Sequence, residues 1–540
     1  MNKLRVGYIL DEGTQSSFVH DIIRRSRSAQ HYSIELLIIQ KTRSPKSRTI
    51  NRLCLAVIEC LERIVVRRIS KLASQYRRYP LETIEIEKLP ITPQVSKSGF
   101  VYTCADEDLA RIREKNLDVL LWGGGGILRG RILDLCPFGV LSFRHGDNNV
   151  NRGGPPGFWE VYFRAPCTGF VIQKLNSELD GGDVLFKGSI PTSTFFSLNQ
   201  LKLTAKANVF LHLLLEKIGR EGNLPRPYPK VPYAYPLYRI PSLRHQLIYV
   251  ARTYLHLGKK AARKLVGREP RWGVAYQFVS DWKDAVLWRS KMIRNPANRF
   301  LADPFVVYRD GRHICYVEDY SFPEKKAAIT AYEITSDGHK ALGTALNEDF
   351  HLSYPFVFEA DGELYMCPES TQARSIRLYR CTEFPLKWTL HKILMSNVRA
   401  VDTSIFRANN KWWMLTNLDS SDVGEHGSEL HLFHADSFDS SEWTAHPQNP
   451  VVFDAARARN GGFIADGDGL FRAFQIRGFD VYGAALGVAR ITELTTETYR
   501  EESLFTIPPA YFKNIEGTHT YSFANGLLAI DFEKVEQRRN

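Results

Sequence analysis

Two absences narrow the reading before any motif is considered. The 540 residues hold no cysteine pair at CxxC spacing; the eight cysteines stand singly at 54, 60, 104, 136, 167, 315, 367 and 381. That argues against a disulfide framework and a structural zinc site, and for reduced thiols in a cytosolic setting. No stretch reaches the length of unbroken apolar sequence needed to span a bilayer. The chain runs from Met1 almost directly into the strand-like LRVGYIL, without the apolar centre of a secretion signal, so the expected location is cytoplasmic. What is present is a globular composition, 44% hydrophobic and 24% charged, in a chain long enough for several cores.

The net charge of +12 conceals a division. Residues 1–300 hold 48 Lys and Arg against 25 Asp and Glu, whereas residues 301–540 hold 23 against 34. Such asymmetry implies different partners for the two halves. The basic half suits a phosphorylated substrate, a polyanionic cofactor tail, nucleic acid or an anionic membrane surface.

The first part alternates strand and helix signals: LRVGYIL, SSFVHDIIRRSRSAQ, YSIELLIIQ, then LDVLLWGG, GVLSF and TGFVIQKL. This βαβ series predicts a doubly covered, Rossmann-like α/β sheet over residues 1–220. Segment 50–77 interrupts it with apolar residues at helical spacing and Arg and Lys opposite. A docked amphipathic helix is the expected reading, and a membrane-surface helix the other. Residues 221–271 read as a linker, Pro- and Tyr-rich up to 240 and then a basic amphipathic helix over 241–271. That helix is either a solvated face or a peripheral contact with anionic membrane. From 272 to 540 the periodicity changes to aromatic-rich hairpins with Asp-Gly or Asn-Asn turns, recurring about every fifty residues. This predicts an all-β five-bladed propeller, with an irregular β-sandwich as the alternative.

In doubly wound sheets, ligands sit beyond the carboxyl ends of strands. Three such ends stand out here: GGGGILRG (123–130), SFRHGDNNVNRGG (142–154) and LDGGDVL (179–185). The glycine run would let a flat ligand approach the backbone, and Asp180 opens a tight turn opposite the tip carrying His145.

Together these segments resemble the catalytic domain of the N10-formyltetrahydrofolate-dependent formyltransferases. The counterparts of the family pattern are Ile127-Leu128, Arg152-Gly153 through Pro156, Thr168-Gly169 and Leu179-Asp180-Gly181-Gly182-Asp183. The resemblance implies attack of a substrate amine on the formyl carbon, an oxyanion stabilised by an Asn and a His, and an Asp that moves the proton. It implies N10-formyltetrahydrofolate as co-substrate, held near Gly125, Gly126, Ile127 and Leu128, and no metal. Two positions depart from the pattern: Ser142 stands where Asn is expected and Arg144 where His is expected. Either a bulge swings the adjacent His145 into place, or Arg144 acts as a permanently charged oxyanion clamp. Asp180 fits the pattern. Arg152 and Trp159, on the following loop, fall on the acceptor side.

The second half resembles the N-terminal domain of glucosamine inositolphosphorylceramide transferase and, more distantly, the five-bladed propellers of furanosidase-type glycoside hydrolases. The stretches that carry this are FLADPFVV, YPFVFEADGELYMCPES and DTSIFRANNKWWML. By position, Asp303, Glu369 and Asp402 are the candidate sugar-binding or catalytic carboxylates; the same residue types also cap turns and knit blades. Trp412, Trp413 and Tyr365 could stack on sugars or fill blade cores. The expected function is formyl transfer to an amine, on an amino sugar carried by a nucleotide or lipid, with no specific nucleic-acid partner. The alternative is a carbohydrate-binding or glycan-processing propeller with a decayed formyltransferase-like domain.

Overall fold

The structure, a computed structural model, describes residues 3–41, 49–97, 99–147, 149–177, 182–421 and 423–537. It resolves into two compact units, Met1–Thr253 and Tyr254–Asn540. The division falls inside a helix, Leu243–Leu265, and not at the edges of a 221–271 linker. Among the described residues, no helix is long and apolar enough to cross a membrane.

The first unit is built on a seven-stranded sheet. Its strands are β1 (Leu4–Asp11), β2 (Tyr32–Gln40), β3 (Glu87–Ile91), β4 (Val119–Trp122), β5 (Val140–Arg144), β6 (Cys167–Lys174) and β7 (Asp183–Pro191). Their order across the sheet is β7-β6-β5-β4-β1-β2-β3. Strands β3, β2, β1, β4 and β5 run parallel, while β6 and β7 add an antiparallel edge. Strict side-chain alternation divides each central strand between two cores. Val6, Tyr8 and Leu10 face α1 (Ser17–Ser28) and the long helix Phe196–Glu221. Ile9, Leu36, Ile38 and Leu120 face the helix Asp106–Arg113 on the other side. Burial on both faces is why these strands read as continuous apolar runs.

The inserted segment forms α2 (Ile50–Ile69), but its faces are the reverse of the expected arrangement. Leu55, Glu62 and Val66 point inward, whereas most of its aliphatic residues remain exposed. Buried Glu62 fixes this orientation: its carboxylate accepts a bond from the backbone N–H of Ser197 at 2.8 Å and another from the Tyr249 hydroxyl. The Pro/Tyr-rich strap is tied to the first unit. Tyr228 N–H donates to the Val184 carbonyl at 2.8 Å, and Leu237–Tyr238 pairs with Arg152–Gly153. The basic helix is shorter than 241–271, because Arg268–Phe278 is already a strand. Two of its cations are paired within the second unit, Lys260 with Asp480 and Arg263 with Glu516.

Among the described residues, the second unit contains five antiparallel sheets. Their first strands are β8 (Arg299–Arg309), β9 (Ser353–Ala360), β10 (Ala400–Ala408), β11 (Asn460–Asp466) and β12 (Tyr521–Ala524). Each packs against the next, and β12 packs against β8, so the five close a ring. The fifth sheet joins both ends of the unit, since Leu527–Gln537 pairs along its length with Arg268–Phe278. Four first strands carry a register shift at the same place, with Asp303, Tyr354, Asp402 and Gly462 beside it in the left-handed region (φ 48°, 45°, 50° and 137°). For the three non-glycine residues that conformation costs about 1–3 kcal/mol each and persists only where the surroundings enforce it.

The Tyr249–Glu62 contact gives a direct check on α2. Tyr249→Phe removes one donor from a buried carboxylate and should lower stability by about 1–3 kcal/mol, read from the urea midpoint of the full chain. An unchanged midpoint would show that the contact does not hold the helix.

Candidate functional site

In the first unit, β4 and β5 lie side by side and end at the same edge, with Val140 opposite Leu120 and Ser142 opposite Trp122. The segments leaving them therefore meet. A cavity of about 960 Å³ is lined there by Gly123 to Leu128, Ser142 to His145, Gln173, Asn176 and Gly182. Its rim also carries Arg63, Arg77 and Arg78.

Ser142 is buried on β5 opposite Gln173, and Arg144 ends the strand opposite Val171. His145, in the bend directly after β5, lines the same cavity as Arg144. Its ring packs edge-on against Phe143 and Phe18, with centroids 4.4 and 5.5 Å away. Burial lowers its pKa to about 4, so at neutral pH it is an uncharged imidazole able to donate one hydrogen bond. Asp180 lies outside the described residues.

The glycine run has a structural reason beside any ligand. A Cβ at Gly124 would stand 2.3 Å from the Gln40 amide, and one at Gly126 (φ 88°) would stand 2.0 Å from the Tyr102 ring. Gly125 is the more open position, and its N–H donates to Asp11 at 2.9 Å. Thr168 and Gly169 are likewise structural. The Thr168 hydroxyl accepts from Asn199 at 2.9 Å, and a Cβ at Gly169 would meet Asp147 at 2.8 Å. Asp147 in turn pairs with Lys187 at 2.6 Å.

Arg152 and Trp159 do not line the cavity. The Arg152 guanidinium sits 4.4 Å above the Tyr233 ring of the strap, and its backbone N–H donates to the Tyr233 hydroxyl at 3.0 Å. Trp159 is buried, and its indole N–H faces the carbonyls of Gly154 and Arg239, both at 3.2 Å. Both residues fasten the loop to the strap. An amphipathic ring with its N–H satisfied by backbone serves as a packing element.

The second unit brings Asp303, Glu369 and Asp402 together with four residues that the sequence reading missed: Glu318, Arg459, His519 and Asp531. The recurring shift in β8 and β10 turns Asp303 and Asp402 into one buried cluster. Glu318, Glu369 and Asn417 are equivalent positions on the neighbouring strands, paired with Ala302, Ser353 and Val401. That equivalence was readable from the repeat; Arg459 and His519 carry no such signal. Arg459 contacts Asp402 at 2.6 Å and Glu369 at 3.8 Å, while Gln475 donates to Asp402 at 3.2 Å. The Asp303 carboxylate accepts from Thr520 at 2.7 Å and from the Tyr354 N–H at 3.1 Å. His519 lies 2.5 Å from Asp531 and 3.5 Å from Asp303, with Trp272 stacked on its ring at 4.0 Å. Trp413 and Tyr365 are buried in sheet cores, and Trp412 packs on Phe358 and Phe438.

So many carboxylates in one buried place cannot all be ionised. Burial and the neighbouring Asp402 push Glu369 up to about 8, although Arg459 opposes the shift. Burial and the Asp303 charge raise Glu318 well above the carboxylate range. Burial works against a charged His519, but Asp531 and Asp303 outweigh it and raise its pKa. The arrangement offers a protonated acid beside ionised partners, the pairing that acid–base chemistry uses. Ligand atoms of Asp303, His519 and Asp531 lie within 4.8 Å of one another, a spacing that a divalent cation could bridge.

Glu369 gives a pH test. Its folded pKa lies above its ordinary 4.5, so the native state holds a proton that the unfolded chain has released. This contribution to stability is complete below the unfolded value and is lost as pH rises through about 8. Stability should fall between those limits, and Glu369→Gln should reduce the slope, as read from urea midpoints across pH. An identical slope in the variant would contradict the assignment. Arg459→Met leaves Asp402 without its cation and should cost about 3–5 kcal/mol.

The comparisons with known proteins divide along the same two units. The family model described as "Glucosamine inositolphosphorylceramide transferase 1, N-terminal" matches residues 285–517. The glucosamine inositolphosphorylceramide transferase 1 of Oryza sativa subsp. japonica is 35% identical over 216 residues, which cover 38% of this chain and 28% of the relative. The chain thus spans less than a third of that relative's length. A methionyl-tRNA formyltransferase of Acetivibrio thermocellus is 28% identical over 133 residues, 24% of this chain and 43% of the relative. Among solved structures, the family 117 glycoside hydrolase Zg3597 of Zobellia galactanivorans superposes with a TM-score of 0.33 at 11% identity, covering 49% of this chain and 90% of that one. The chain is therefore similar to a transferase family in its second unit and, more weakly, to formyltransferases elsewhere.

Proposed function

We propose that the first unit transfers a formyl group from N10-formyltetrahydrofolate to the amine of an amino sugar carried on a nucleotide or lipid. The observation that carries this reading is the convergence of the ordered motif segments on one cavity, with Gly123 to Leu128 on one side and Ser142 to His145 on the other. Its rim arginines suit a phosphate on the acceptor. Gly125, Gly126, Ile127 and Leu128 would hold the folate. As the amine attacks the formyl carbon, the Arg144 guanidinium would pair with the oxyanion, and neutral His145 would add a hydrogen bond. Asp180 would accept the amine proton and return it to N10 as the bond from the formyl carbon to that folate nitrogen breaks. We read the second unit as a five-bladed propeller that binds sugar by itself, through Asp303, Glu369 and Asp402.

A second reading is favoured by the buried carboxylates of the second unit. Asp402 beside a protonated Glu369 is a pairing suited to glycan processing. In that case the first unit would serve as a binding scaffold.

Variants separate the two. Asp180→Asn keeps shape and removes the charge, so formyl turnover should fall by about two decades or more with folding unchanged. Arg144→Ala should lower turnover by about 10²–10³, the usual cost of losing an oxyanion donor. Because His145 titrates near pH 4, it should leave no inflection in the pH–rate profile between pH 5 and 8. Unchanged turnover in both Asp180→Asn and Arg144→Ala would overturn the formyl-transfer reading.

A further inference from the structure

Helix α2 presents its apolar residues to solvent. Ile50, Leu53, Val57, Leu61, Ile64 and Ile69 recur at helical spacing along its whole length and are 49–60% exposed. A contiguous aliphatic stripe of this length marks a surface that something else covers. The helix's two carboxylates are turned away from it: Glu62 is buried under Tyr249 and Ser197, and Glu59 is engaged by Arg63 at 3.1 Å. Its exposed charges are all cationic, Arg52, Arg67 and Arg68. They belong to the half of the chain in which Lys and Arg outnumber Asp and Glu by 48 to 25. Apolar side chains directed outward, cations among them and no outward carboxylate are what an interfacial helix needs to lie on an anionic bilayer.

We propose that this chain docks peripherally on anionic membranes through the outward face of α2. The stripe enters the boundary between headgroups and acyl chains, the arginines meet lipid phosphates, and the buried Glu62 keeps the helix fixed on the body of the unit. The inward side of the same helix supplies Arg63 to the rim of the 960 Å³ cavity. Docking rests on the α2 surface alone and stands whether or not the cavity transfers formyl groups.

The test is co-sedimentation of the full chain with vesicles of phosphatidylcholine, with and without phosphatidylglycerol. Binding should require the anionic lipid and weaken with added salt. The double variant Val57→Glu, Leu61→Glu should reduce it roughly tenfold or more while circular dichroism and the thermal midpoint are kept. Exposed Cys60 offers a second measurement without a change of fold: an environment-sensitive fluorophore attached there should shift to the blue on adding anionic vesicles. Wild-type protein that stays in the supernatant, equal binding to pure phosphatidylcholine, or undiminished binding by the folded double variant would each overturn the proposal. So would a dimer in solution that the double variant dissolves without any vesicle binding, because the stripe would then belong to a second copy.

Discussion

The cavity of the first unit depends on the parallel register of two short strands. Val140 opposite Leu120 brings the ends of Val119–Trp122 and Val140–Arg144 to one edge of the sheet. Everything that follows them, the glycine run on one side and Arg144-His145 on the other, is then forced into the same cavity. A slip of one residue would move the apolar set of β5 to the wrong core and carry Arg144 away from the cavity. The register is held by the two buried faces: Leu141 lies in one core and Val140 in the other.

The second unit solves a different problem by repetition. Four of the five first strands carry a like backbone irregularity, with Asp303, Tyr354, Asp402 and Gly462 at it in turn. Two of those positions hold carboxylates, and the neighbouring strands add Glu318 and Glu369. Burying them together is expensive unless protons and cations are shared, which is the part played by Arg459, His519 and the raised carboxyl pKa values. Such a concentration of strained backbone and displaced proton affinities, absent from an ordinary sheet core, is what sets this place apart from turn-capping aspartates.

Much of the architecture was legible in the sequence because it rests on periodicity. The apolar runs of β1, β2 and β4 announce a doubly covered sheet, and the hairpin repeats announce antiparallel sheets. Asp303, Glu369 and Asp402 were picked out through the resemblance to furanosidase-type propellers, and of these only Asp303 and Asp402 sit at matching places in the repeats. Arg459 and His519 could not be picked out, since long-range partners of a buried carboxylate leave no local pattern. The anchoring of Trp159 and Arg152 was illegible for a related reason: their partners, Arg239 and Tyr233, lie in a Pro/Tyr-rich strap that composition marks as a linker. The orientation of α2 also escaped, because spacing defines an apolar stripe but not the side that faces the protein. Buried Glu62 decides that.

The most direct measurement follows the formyl group itself. Full-length protein incubated with N10-formyltetrahydrofolate carrying a ¹³C-labelled formyl carbon, and with a panel of nucleotide- and lipid-linked amino sugars, should move the label into a new amide on one acceptor, detected by mass spectrometry and by its carbonyl resonance. A label that stays on the folate with every acceptor, in protein shown to be folded, would contradict the account of the first unit as a formyl-transfer enzyme.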